Sequence, residues 1–116
     1  MLEIAEREEH VVLYPSGYLN GATGKELVEA SERLSREGWN RILIHFGRIE
    51  TINTMGVAGL VSVLEKVPRR GGEVSFCDLG ATNREMLDVL NISSAVLIFD
   101  SENAAVEHWK KVGKAT

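Results

Sequence analysis

The chain has 116 residues, 44% of them hydrophobic and 26% charged, a composition that fits one globular domain with one core. Its net charge of −4 argues against a general nucleic-acid binder, and its lone cysteine excludes an internal disulfide. No run approaches the roughly 18 apolar residues of a membrane span, and the acidic start Met1-Leu2-Glu3-Ile4-Ala5-Glu6 lacks the basic and apolar parts of a secretory leader, so a soluble cytoplasmic domain is expected.

Met1 to Glu8 alternates weakly, and Val11 to Leu19 is a second extended run; with Glu8-Glu9-His10 as the tip, the two read as an antiparallel hairpin. Pro15 in the second run points to an edge position or a bulge. Asn20-Gly21-Ala22 breaks the run. Thr23-Gly24-Lys25-Glu26 then fits a capping box for a helix whose inner positions are Leu27, Ala30, Ser31 and Leu34, with Gly38 just past its end.

Arg41-Ile42-Leu43-Ile44-His45-Phe46 reads as a central strand. His45 within it is read as a packing residue, since no second ligand type stands at a metal-binding spacing nearby. Thr51-Ile52-Asn53-Thr54-Met55-Gly56 follows as a short loop that becomes a helix N-terminus, continuing to Val67 with Val57, Leu60, Val61, Leu64 and Val67 on one face. The first turn of a helix carries unpaired N–H groups and partial positive charge, so a hydroxyl there can cap the helix or carry a phosphate. Gly56, Ala58, Gly59 and Ser62 leave much of this helix bare, which serves both close packing and close approach from outside.

Pro68 is expected to end that helix, and Gly71-Gly72 to make the turn into a strand from Val74 to Leu79. Cys77 lies in the alternating run Glu73-Val74-Ser75-Phe76-Cys77 and reads as buried packing. Thr82-Asn83-Arg84-Glu85 is a second capping box, followed by Met86, Leu87, Val89 and Leu90 as an apolar face. Ala95 to Phe99 reads as a last strand, and Ser101 as the cap of a final helix with Ala105, Val106, Trp109 and Val112 facing inward. Residues 113–116 are expected to fray. The order is therefore β-β-α-β-α-β-α-β-α. It implies one α/β domain over residues 1–112: an opening hairpin and a mixed, mostly parallel sheet covered by helices.

Catalytic signatures are missing. None of the three histidines stands beside a Gly-x-Ser-x-Gly elbow, no Gly-rich loop ends in Gly-Lys-Ser/Thr, and no Gly-x-Gly-x-x-Gly follows a strand. The reading is of a protein that is not an enzyme, with no catalytic residues, no metal and no cofactor.

Strand–Ile52-Asn53-Thr54-Met55-Gly56-Val57-Ala58-Gly59-Leu60–helix stands at the centre of an ordered set. The set includes Gly17-Tyr18-Leu19-Asn20, Gly71-Gly72-Glu73-Val74, Leu79-Gly80-Ala81-Thr82-Asn83-Arg84-Glu85-Met86-Leu87 and Phe99-Asp100-Ser101-Glu102-Asn103-Ala104. Together these resemble the STAS domain of bacterial anti-sigma factor antagonists and sulphate-transporter tails, from about Leu2 to Lys111. The family loop reads Asp-Ser-Ser-Gly-Leu-Gly, or Asp-Thr-x-Gly-x in stressosome-type members. Here Asn53 stands for the aspartate, Thr54 for the acceptor and Met55 for the second serine, while Gly56 is retained; Asn20 replaces a strand-end aspartate.

The resemblance implies partner switching. An unmodified domain binds an anti-sigma factor that is a serine-protein kinase of ATPase fold, phosphorylation separates the two, and a phosphatase restores binding. It implies Thr54 as phosphoacceptor and Asn20, Gly21, Asn53, Thr54, Met55, Gly56, Val57 and Ala58 as the partner-binding surface. With both acids replaced by asparagine, a constitutive partner-binder stays open beside the switch. So does a scaffold that self-associates, as a homodimer for example, in a signalling assembly. A small flavodoxin-like enzyme or nucleotide binder is the third reading.

Overall fold

A computed structural model describes residues 2–113. Seven strands and four helices follow one another in it: β1 Glu3–Glu6, β2 Val11–Tyr14, β3 Gly17–Leu19, α1 Gly21–Arg36, β4 Arg41–His45, β5 Ile49–Ile52, α2 Thr54–Arg69, β6 Glu73–Cys77, α3 Ala81–Val89, β7 Leu97–Phe99 and α4 Glu102–Val112. Five strands form the main sheet in the order β1-β2-β4-β6-β7, with β1 antiparallel to β2 and the rest parallel. This is the expected α/β domain with an opening hairpin and a mixed sheet.

The sheet is buried on both faces at its centre, which is why its strands read as unbroken apolar runs. Along β2, Val11 and Leu13 join the larger core with Leu27 and Leu34 of α1, Leu60, Val63 and Val67 of α2, and Leu87 of α3. Val12 points the other way, into a smaller core with Leu43, Cys77, Ala105 and Trp109 under α4. Each such fully buried aliphatic contributes about 1.5–3 kcal/mol relative to exposure.

Several sequence expectations are corrected. The run Val11 to Leu19 is two strands, because the chain leaves the main sheet at Pro15; β2 lies inside the sheet, and Pro15 follows its end without occupying an edge. Gly17, at φ +71°, makes the turn into β3. β3 then pairs in parallel with β5 as a separate two-stranded sheet, with Leu19 opposite Ile52. The β5 strand had read as loop. Its partner lies about thirty residues upstream, so only the tertiary pairing defines it.

Neither capping box forms. Asn20 caps α1, its Oδ1 accepting from the Thr23 N–H at 3.1 Å, while the Thr23 hydroxyl donates to the Tyr18 carbonyl. Helix α3 starts from Gly80 with no side-chain cap, and Asn83 is buried with its amide donating to the Ile49 carbonyl at 3.4 Å. On α2 the inward residue is Val63, whereas Val61 is exposed, and the helix runs one residue past Pro68. Val89, Leu90 and Val112 face solvent as well. Residues 93–95 form a 3-10 turn, which shortens the last strand to β7. Ser101 caps α4 as expected, accepting from the Ala104 N–H at 3.0 Å. Beyond Gly113, the tail expected to fray lies outside the described residues.

Candidate functional site

The small β3–β5 sheet ends in two asparagines, Asn20 and Asn53, and each starts a helix. Leu19 and Ile52 are register partners, and the Asn53 N–H donates to the Leu19 carbonyl at 3.1 Å. The two helix N-termini are therefore neighbours. Asn53 caps α2 as Asn20 caps α1, its Oδ1 accepting from the Gly56 N–H at 2.9 Å. Neither helix has an acidic residue in its first turn. The site thus joins two positive helix ends with no resident carboxylate to neutralise them.

Thr54 is the first residue of α2 and is exposed. Its hydroxyl sits where a phosphate would meet the free N–H groups of the first turn. Met55 is 63% exposed, which settles its location at the surface in place of the core. Ala58 is exposed one turn further on, and Asn20, Gly21 and Asn53 are half-buried between the helices. Tyr18, 51% exposed on β3, belongs to the same end of the molecule. Its sequence signal was weak, since an aromatic in a short strand reads as core.

Two of the residues expected to form the docking surface lie largely inside. Gly56 is buried, and a Cβ on it would run into the Leu19 carbonyl. Val57 packs partly against the core. They shape the loop from beneath. The bareness of α2 is likewise explained by packing at Gly56 and Gly59, where β3 and α1 come close, and by an open exterior only at Ala58.

A second polar group lies at the C-terminal ends of β4 and β6. His45 and Cys77 are register partners, and ligand atoms of His45, Cys77 and Asp78 come within 4.8 Å of one another. The sequence reading found no second ligand type near His45 because the partner arrives from another strand. The local hydrogen bonds argue against an ion there. The Gly47 N–H donates to His45 Nδ1 at 3.1 Å, which takes up that lone pair and leaves the ring hydrogen to Nε2; Nε2 lies 3.0 Å from Asp78 Oδ2, but the two are not aligned as a hydrogen bond, and a protonated Nε2 has no lone pair to donate. Burial, reinforced by Asp78, pushes the Cys77 thiol far up, which keeps it protonated.

Comparison with known proteins gives a consistent result. The family model of the STAS domain matches residues 1–105. BtrV of Bordetella bronchiseptica, a candidate anti-sigma factor antagonist, is 23% identical over 94 residues, 81% of each chain. The crystal structure of a candidate anti-sigma factor antagonist from Thermotoga maritima superposes with a TM-score of 0.85 at 19% identity, covering 94% of both chains. SpoIIAA, an anti-sigma factor antagonist, superposes in its unphosphorylated form with a TM-score of 0.74 at 16% identity, over 95% of this chain and 98% of that one. Its phosphorylated form, from Bacillus, gives 0.71 at 14%, over 93% and 98%.

Proposed function

This chain belongs to the STAS domain family, and from that premise we propose that it is a regulatory protein-binding module of the anti-sigma factor antagonist type. Its partner is an anti-sigma factor built as a serine-protein kinase of ATPase fold, and phosphorylation of Thr54 releases it. The docking surface comprises Asn20, Gly21, Asn53, Thr54, Met55 and Ala58, with Tyr18 at its margin. The observation that carries this reading is the exposed Thr54 hydroxyl at the start of α2, beside the capped start of α1.

The physical logic is one of charge and access. A phosphate adds about −1.5 to −2 charges and is stabilised by a helix N-terminus, so the domain stays folded when modified. The same charge lies in the middle of the surface a partner must desolvate. Moving binding from 99:1 to 1:99 takes about 5.5 kcal/mol of differential affinity, within reach of a dianion at an interface. Asn53 leaves the unmodified loop neutral. A phosphatase would then restore binding. The chain does no chemistry of its own in this scheme, and among the described residues no helix is long and apolar enough to cross a membrane.

The decisive experiment offers the cognate kinase and ATP to the protein, with mass spectrometry to locate phosphate. Pull-downs with wild type, Thr54→Ala and Thr54→Glu then follow. Phosphate on Thr54 and loss of partner with Thr54→Glu alone are expected. Equal recovery of the partner by all three forms rules the switch out.

A second reading is a self-associating scaffold domain. It rests on the exposed apolar residues Val89 and Leu90 at the end of α3 and Leu97 on the edge strand β7. Light scattering decides between them: a stable homo-oligomer that ignores the kinase would favour the scaffold.

A further inference from the structure

The main sheet has two edge strands, and they are built differently. At one edge, β1 carries exposed Glu3 and Glu6 at its two ends, the kind of charge that blunts a free edge. At the other, β7 is Leu97-Ile98-Phe99, with no charge, no proline and no bulge.

The outer side of β7 offers backbone groups. The Asp78 N–H donates to the Phe99 carbonyl at 3.2 Å, so Phe99 turns its peptide groups toward β6. Peptide groups alternate along a strand, so Leu97 turns toward β6 as well and Ile98 directs its N–H and carbonyl outward. No strand among the described residues receives them there.

The side chains alternate too. Phe99 packs on the smaller core under α4, which places Leu97 on that face, while Ile98 packs on the larger core. Leu97 is 52% exposed and Phe99 is only half-buried, so both keep uncovered apolar surface. Val89 and Leu90, exposed at the end of α3, extend that surface on the Ile98 side, since Leu87 of α3 shares the larger core with Ile98.

One partner meets the outward peptide groups and the apolar flank together: the same strand, turned antiparallel. With a two-fold axis beside Ile98, the two Ile98 residues exchange both N–H···O bonds, and Leu97 of each copy stands opposite the partner's Phe99. Those opposed pairs are the closest in a sheet, with Cα atoms about 4.5 Å apart, and aromatic–aliphatic pairs there are favourable. Strand β1 of another copy would instead bring Glu3 or Glu6 against this apolar edge.

We propose that a second copy of this chain pairs antiparallel along β7, in register about Ile98, joining the two sheets into one. The inference rests on the self-association reading for the existence of a dimer, and adds which edge pairs and how. The Asn53 loop follows β5, beyond the end of β4, whereas β7 lies on the far side of β6, so the pair leaves both Thr54 sites open. Two hydrogen bonds and two side-chain pairs make a small contact, and its dimer is concentration-dependent.

Sedimentation velocity of the whole chain tests the dimer, from about 10 μM to about 1 mM, the range of weak specific association. Wild type should pass from monomer to dimer across that range. Leu97→Lys, at an exposed position and with an unchanged circular dichroism spectrum, should weaken the dimer about tenfold or more. Cross-linking tests the register. A mixture of Leu97→Cys and Phe99→Cys chains should give a disulfide-linked dimer under mild oxidation. Neither variant alone should, because identical positions then lie beyond the roughly 7 Å that a disulfide can span. Wild type, with Cys77 buried, is the blank. A wild-type chain that stays monomeric at about 1 mM overturns this pairing and the scaffold reading together. A wild-type dimer that Leu97→Lys leaves intact, or a mixture that gives no cross-link, overturns the pairing alone.

Discussion

Gly24 and Gly59 meet across the α1–α2 interface so closely that a methyl group on Gly59 would lie 2.5 Å from the Gly24 Cα. No side chain separates the helices there. The same closeness holds at the loop, where Met55 Cβ would stand 3.4 Å from a Cβ on Gly21. Glycines thus set how near the two helix N-termini lie, and so set the electrostatic character of the site between them.

Gly59→Ala should therefore be severe. The obstacle is the backbone of α1, which cannot swing aside as a side chain would, so a loss of about 3 kcal/mol or more is expected, at the upper end of overpacking costs. Gly21→Ala is the control: its new methyl finds ordinary contact, and alanine's helix propensity should leave stability unchanged or up to about 1 kcal/mol higher. Urea unfolding of both variants measures the difference. Similar, small effects would mean the helices can spread.

The third helix offers a sharper test of which residues are core. Leu87→Ala should cost about 2–5 kcal/mol, since Leu87 is fully buried. Val89→Ala should change stability by under about 0.5 kcal/mol, as Val89 is 75% exposed. Thermal melts that rank the two the other way would overturn the packing of α3.

That helix also shows where sequence reasoning reached its limit. Met86, Leu87, Val89 and Leu90 are four apolar residues in five, and periodicity cannot say which pair faces in when a short helix lies at the sheet's margin. The central strands were legible because burial on both faces writes itself as Ile42-Leu43-Ile44. The Asn53 loop was legible because a strand, a polar break and a helical face follow in order. Asn20 as a cap was obscured by Thr23 and Glu26, which mimic a capping box three residues on. The β3–β5 pair and the stacking of Arg41 on Trp109, 5.2 Å from guanidinium carbon to ring centroid, depend on residues far apart in sequence, and no local pattern announces them.

Cys77 should resist modification in the native state. It is fully buried and its thiol is held protonated by burial, so the reactive thiolate is scarce. Iodoacetamide at pH 8 should label it only in urea, at a rate that follows unfolding. Rapid labelling of folded protein would show that the β6 end opens.

Glu102 gives a pH dependence with a defined sign. The Arg7 guanidinium, with help from His10, holds its carboxyl below the usual carboxylate value of about 4.3. Between the two values the unfolded chain binds more protons. The stabilisation is thus complete above the unfolded pKa and is lost as pH falls through the folded one. Glu102→Gln should be less stable than wild type at pH 7, and the gap should close as pH is lowered below about 4. Denaturant midpoints for both proteins across pH 3 to 7 give the difference curve. A constant gap at all pH values would mean the carboxylate charge contributes nothing.

Asn53 separates the capping role of the loop from its charge. Asn53→Ala removes the Oδ1 acceptor of the Gly56 N–H and should cost about 1 kcal/mol, the usual worth of a helix cap. Asn20→Ala should cost a similar amount at α1, where Oδ1 takes the Thr23 N–H. Asn53→Asp keeps the acceptor and adds a negative charge at two helix N-termini that have none in their first turns. It should therefore match wild type or exceed it by about 0.3–1 kcal/mol, and the gain should shrink in high salt. Urea midpoints at low and high ionic strength test this directly. If Asn53→Asp were instead as damaging as Asn53→Ala, the side-chain oxygen would not be the working atom. The loop would then have no favourable place for an anion, and the case for a phosphate on Thr54 would fall with it.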